Sequence, residues 1–188
     1  MHKLFSGMML AVLMLASVLV ATPVALADEI ACRGTIGART VDNLRVPSGE
    51  SCTLEGTTVK GTIKVEGGAT LQARGVKVIG NIQAENHKYV AVTGGSTVGG
   101  SIQIDQGGAF KVVNVQTKGS IQVVSNQGSS LLKKNRVNAD IQVFSHRDGI
   151  RIVSNRVDGN LQCKDNSPAP TGSGNIVQGN KEDQCKRL

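Results

Sequence analysis

An all-β chain wound as a single-stranded parallel β-helix is the expectation from this sequence, on three observations. One short phrase recurs at steps of 19 or 20 residues, anchored on Leu44, Ile63, Ile82, Ile102, Ile121, Ile141 and Leu161. A period near 20 marks a solenoid. Within each phrase apolar and polar residues alternate, which is strand periodicity. Gly, Asn, Asp and Ser fill the gaps, as turns require, and no helix of ordinary length fits between the phrases.

Residues 1–27 stand apart from the repeat and read as a secretory signal peptide. Lys3 makes the charged n-region, "GMMLAVLMLASVLV" the apolar core, and "ALA" (residues 25–27) the small-x-small cleavage site. The apolar run is short for a membrane span and ends at Pro23, which argues against an uncleaved anchor. Asp28 and Glu29, just ahead of Cys32, argue against a lipid-modified cysteine. The expectation is a secreted or periplasmic protein, with no membrane-spanning segment once the leader is removed.

The β-helix domain then occupies residues 28–188. Its first coil places Thr40, Leu44, Val46, Cys52 and Leu54 inward. Val59, Ile63, Val65, Leu71 and Ala73 repeat the pattern in "KGTIKVE" and the residues around it. Val78, Ile82, Ala84, Val90 and Val92 do so around "IGNIQAE", and Val98, Ile102, Ile104, Phe110 and Val112 around "VGGSIQID". "KGSIQVV" brings Thr117, Ile121, Val123, Ser130 and Leu132. "NADIQVF" brings Val137, Ile141, Val143, Ile150 and Ile152, and "DGNLQCK" brings Val157, Leu161 and Cys163. "NSPAPTGSG" (166–174) reads as a Pro- and Gly-rich loop interrupting the last turn. "NIVQGNK" then echoes "NRVDGNL" and predicts a partial final turn. Stacked at about 4.8 Å, about seven to eight turns of two or three short strands make a rod roughly 35–40 Å long. Crossovers between parallel strands favour the right hand.

All four cysteines follow residue 27, and an even count in an exported chain reads as two disulfides. Cys52 lies about one turn after Cys32, and Cys185 about one turn after Cys163. Pairing Cys32–Cys52 and Cys163–Cys185 would staple both ends of the rod, where unpaired sheet edges are most exposed.

The repeat resembles that of the parallel β-helix proteins over nearly all of residues 28–188, above all the small secreted ones of uncharacterised function. Its short G-x-I turns are similar to those of the bactofilins, polymer-forming bacterial proteins that are cytosolic and so differ in compartment. In fold it also resembles pectate lyases, polygalacturonases and alginate epimerases. No catalytic motif of theirs stands in this sequence, so the resemblance implies a fold and no activity.

Charge narrows the function. The formal net charge is +7, and loss of the leader removes only Lys3. A basic exported chain favours anionic polysaccharide or another envelope partner and has little occasion to meet nucleic acid. Only Tyr89, Phe110 and Phe144 remain as aromatics, few for stacking sugars or bases. Lys134, Arg136, Arg151 and Arg156 crowd the later turns, with Arg136 and Arg156 equivalent one turn apart, and such a strip suits sulfate, carboxylate or phosphate groups. It suits a solvated, solubilising face as well. Gln103, Gln122 and Gln142 share an outward column that reads as an amide ladder or as a flat polymer-binding face. Glu66, Glu85 and Asp105 stack in consecutive turns. They read as solvated turn residues, as a Ca²⁺ site, or as a catalytic acid–base group. His87 and His146 share a column three turns apart and read as turn residues, too distant to share a metal. The sequence therefore leads to a non-catalytic structural or binding module, monomeric, needing no cofactor beyond an optional Ca²⁺. A small polysaccharide lyase or glycosidase and a self-assembling scaffold are the alternatives.

Overall fold

The structure, a computed structural model, describes residues 28–188; the leader and its cleavage site lie outside the described residues. Every paired strand is parallel, and the strands fall into three sheets of nine, eight and eight. Each coil gives one strand to each sheet, as Ile102–Asp105, Ala109–Val113 and Gln116–Thr117 do in the fifth. Strand period places alternate residues inward, so the anchors stack directly: Ile63 on Leu44, Ile102 on Ile82, Ile141 on Ile121. These positions are buried and form one continuous core. Each such Ile, Leu or Val contributes about 1.5–3 kcal/mol by leaving water.

Corners explain why the step alternates between 19 and 20. The coil from Ile82 carries both Gly94 and Gly95 between its second and third strands, where the coil before has Gly75 alone. From Ile121 onward the extra residue moves to the corner before the second strand, so Ser130 stands nine rather than eight residues after its anchor. Corners demand left-handed backbone: Asn86, Gln106, Ser125, Ser145 and Asp165 follow the first-sheet strands with φ between 52° and 58°. Asn, Asp and Ser tolerate that conformation because their side chains bond locally.

Two expectations are corrected. Val41, not Thr40, stacks on Val59, because the first coil has one residue fewer before its anchor; Thr40 faces solvent. Residues 166–174 stay in the coil: Thr171–Ser173 forms a strand that pairs with Arg151–Val153. Pro170 is buried in the column of Ile150. His87 and His146 occupy corners as expected, yet their side chains turn inward and are buried.

Both expected disulfides form, with Cα–Cα separations of 5.6 and 5.2 Å. Neither joins stacked residues. The register partner of Cys52 is Gly34, and that of Cys163 is Asp183. Each bridge therefore runs diagonally, offset by two residues, within ordinary disulfide reach. Beyond the last strand the chain folds back, Cys185 and Leu188 are buried, and Lys181 Nζ donates to the Leu188 carbonyl.

Ser130 interrupts a core column for a physical reason. Phe110, the largest fully buried side chain, lies one coil below and extends toward His146, with ring centroids 5.7 Å apart at 75°. A small residue makes room for it, and the Ser130 hydroxyl donates to Gly128 O at 3.0 Å while accepting from Phe110 N at 3.1 Å. Asparagines fill the inner corner before the third sheet. Asn135 Nδ2 donates to Asn155 Oδ1 at 3.0 Å, and Asn155 Nδ2 to Asn175 Oδ1 at 2.9 Å. This buried ladder satisfies backbone groups that the corner strips from the sheets.

Candidate functional site

The rod presents three outward faces, one per sheet, and the residues singled out above are divided among them. Gln103, Gln122 and Gln142 lie on the first sheet, Arg151 on the second, Arg136 and Arg156 on the third. Lys134 stands at the corner between the second and third sheets with φ 54°. The basic residues therefore do not form one strip, although Arg136 and Arg156 do face each other in register.

On the first sheet the glutamines form an oriented ladder. Gln83, Gln103, Gln122 and Gln142 each donate Nε2 to the Oε1 of the next, at 2.9, 3.1, 3.0 and 2.8 Å. Gln162 ends the run by donating to the Glu182 carboxylate at 2.8 Å. At the other end Lys64 is the register partner of Gln83. Amide dipoles thus align from a cation to an anion, the arrangement that polarises a hydrogen-bond chain favourably. Each amide spends one N–H and one lone pair on its neighbours. The ladder stiffens the face and leaves half its bonding capacity for solvent.

The acidic column borders an open groove of about 840 Å³ on this same side. Its members differ. Glu66 is held by Arg45 at 3.4 Å and by the Ser48 amide and hydroxyl at 3.0 and 3.2 Å. Glu85 and Asp105 are register partners. Asp105 Oδ1 is buried without a hydrogen-bond partner, and burial, then the nearby Glu85 charge, raises its carboxyl above the ordinary aspartate range. Among the described residues no group of three or more His, Cys, Asp or Glu is placed to hold a metal ion. In later coils Val124 and Phe144 continue the column in register, and Val124 remains exposed.

The third sheet carries an excess of cations over the single carboxylate of Asp158 near its far end, as the second sheet does with Arg74, Lys111, Lys133 and Arg151. Lys77, Thr97, Gln116, Arg136 and Arg156 occupy one outward column in five successive coils. Lys118 lies two residues beyond Gln116 on the same face, and all four cations are exposed. Among the described residues none of them forms a salt bridge, whereas Lys60, nearer the start of the rod, is paired with Asp42 at 3.0 Å. Coils repeat at about 4.8 Å, inside the screening length of about 8 Å at physiological salt. Neighbouring cations therefore feel one another, and Arg136 directly opposite Arg156 is unfavourable by itself. Lys77 and Lys118 are not among the residues that the sequence reading singles out. The signal was present: Lys77, Gln116, Arg136 and Arg156 each stand just before the inward residue of their third-sheet strand.

The two histidines are placed for structure. His146 Nε2 lies 3.1 Å from Gly128 O and 3.2 Å from Gly149 O, so that nitrogen carries the proton and donates. His87 packs beneath Gly107, whose Cβ would meet the imidazole at 2.1 Å. Desolvation lowers the pKa of both, that of His87 to about 4.

Comparison with family models, with curated proteins and with solved structures finds no match to this chain. The parallel β-solenoid therefore stands on its own geometry. Two disulfides fit an oxidising extracellular or periplasmic setting. Among the described residues no helix is long and apolar enough to cross a membrane.

Proposed function

We propose that this chain is an exported, non-catalytic binding module that lays its third sheet along a polyanion, such as an acidic polysaccharide of the cell envelope. The observation that carries this reading is the row of Lys77, Lys118, Arg136 and Arg156, exposed and without carboxylate partners among the described residues. Each such charge alone would gain little at a surface. Four on one rigid face act together, because binding at the first site holds the polymer near the rest. A polyanion also relieves the repulsion between Arg136 and Arg156. The leader-like segment and the disulfides support an extracytoplasmic setting. The test is binding of the mature protein to acidic polysaccharides at two salt concentrations. Arg136→Glu with Arg156→Glu should abolish a binding that salt weakens in the native protein. Binding that ignores both salt and these charge reversals would refute the reading.

A second reading, a small lyase or glycosidase, has one observation in its favour. Asp105 keeps its proton more readily than an ordinary aspartate and sits beside Glu85 in the first-sheet groove. Release of unsaturated or reducing ends from a polysaccharide, lost in Asp105→Asn, would establish it.

A further inference from the structure

We propose that a notch on the third sheet is a subsite for one sugar ring, so that the polyanion bound there is an acidic glycan rather than a polyphosphate. This inference rests on reading that face as a polyanion site. It begins with the residues two positions beyond the outward cation column. Ile79, Gly99 and Lys118 occupy this place in successive coils, as their backbone bonds to Val59, Val78 and Val98 show. At Gly99 the column loses its side chain. A Cβ there would stand 2.2 Å from the Ile79 carbonyl oxygen, so the two coils touch through backbone and no other residue fits without displacement.

Around Gly99 lies a depression of about 470 Å³, lined by residues from Lys77 to Asn138. Ile79, two residues beyond Lys77, walls one side and is 54% exposed. Lys118 walls the other side, and Lys77, Thr97 and Arg136 complete the rim. Lys77 and Lys118 flank the Gly99 coil and stand two coils apart, roughly 10 Å. A lone exposed isoleucine needs no explanation. An exposed isoleucine beside a backbone-floored notch, with unpaired cations on both sides, has a specific chemical complement. A pyranose ring offers a C–H face for Ile79, a hydroxyl for Thr97, and carboxylate or sulfate groups on itself and its neighbours for the lysines. A phosphate chain offers charge and no apolar face. The notch size lies within the usual range for small-molecule sites, about 300–1,000 Å³. Successive rings would then run along the rod axis toward Arg136 and Arg156.

The experiment is titration calorimetry of the mature protein with a hexamer of uronic acid and, separately, with inorganic polyphosphate of equal charge. Native protein, Ile79→Ser and Lys118→Glu are compared. Ile79 is exposed, so Ile79→Ser should fold normally, which far-ultraviolet circular dichroism checks. The native protein should bind both polymers in a salt-sensitive way and prefer the uronate. Ile79→Ser should weaken the uronate by about three- to tenfold, the worth of a partly buried aliphatic side chain, and leave polyphosphate within twofold. Lys118→Glu should weaken both. If Ile79→Ser leaves both unchanged or weakens both equally, the notch is not a sugar subsite, while the polyanion reading stands. If the native protein binds neither polymer, the polyanion reading fails and the subsite with it.

Discussion

Two amide ladders run along this rod, and burial should make them energetically unequal. Asn155 is 1% exposed. Its Nδ2 donates to Leu132 O at 3.0 Å and to Asn175 Oδ1 at 2.9 Å, and its Oδ1 accepts from the Asn135 amide at 3.1 Å and from Asn135 Nδ2 at 3.0 Å. Asn155→Ala strands the Asn135 amide and one Asn135 side-chain hydrogen, while the Leu132 carbonyl keeps its strand bond from Val153. Each stranded buried group costs about 1–3 kcal/mol, and water entering the gap offsets part of that, so the expected loss is about 2–4 kcal/mol. Gln122 also bonds on both sides, from Gln103 at 3.1 Å and to Gln142 at 3.0 Å, but it is only half-buried. Solvent replaces both partners, and Gln122→Ala should cost about 1 kcal/mol. Guanidinium unfolding followed by circular dichroism separates the two. At a slope of about 3–4 kcal/mol per molar, the midpoint should fall by about 1 M for Asn155→Ala and about 0.3 M for Gln122→Ala. Equal shifts, or a larger one for Gln122→Ala, would refute the argument that burial decides.

Acid should loosen the fold before the carboxylates titrate. His87 has a folded pKa of about 4, below its unfolded 6.5, so between those values the unfolded chain holds a proton that the folded chain lacks. The associated stability is complete above about pH 6.5 and declines by up to about 3 kcal/mol as pH falls toward 4. His146 adds in the same direction, and the raised Asp105 carboxyl opposes it at the acid end. A flat stability profile between pH 7 and 4.5 would contradict this. Each disulfide closes a segment of about one coil, with separations of 20 and 22 residues. Replacing both cysteines of either pair by alanine should cost about 3 kcal/mol, measured by the same unfolding assay without reductant. Lys134 holds a long side chain at φ 54°. Lys134→Gly should raise stability by up to about 1 kcal/mol, and a loss of stability would show that the lysine makes a compensating contact.

The coil architecture was legible because a solenoid repeats one physical requirement. Each turn must set Ile or Val over its neighbour, so the columns through Ile82, Ile102 and Ile121 appear in the sequence as a period. What the period hides is the corner. Asn135, Asn155 and Asn175 look like ordinary turn residues, and only the inward direction of the corner shows that they form a buried ladder. Counting back from the anchor puts Thr40 rather than Val41 inward for the same reason, since a shortened corner leaves the alternation around it intact. The candidate site was legible in part. Arg136 and Arg156 stood out because they are adjacent equivalents. Lys77 and Lys118 do not stand out, because Thr97 and Gln116 interrupt the run and the two lysines stand in different columns, offset by two residues. Arg151 and Lys134, though close in sequence, face other directions because the chain turns a corner between strands.

The most direct test is to pass purified residues 28–188 over an array of acidic and neutral bacterial polysaccharides, recording binding and product release together at low and high salt. The account predicts retention on acidic polymers that weakens as salt rises, no new unsaturated or reducing ends, and loss of retention when Arg136 and Arg156 are both replaced by glutamate. Failure to bind any acidic polymer, or release of cleavage products that Asp105→Asn abolishes, would contradict it.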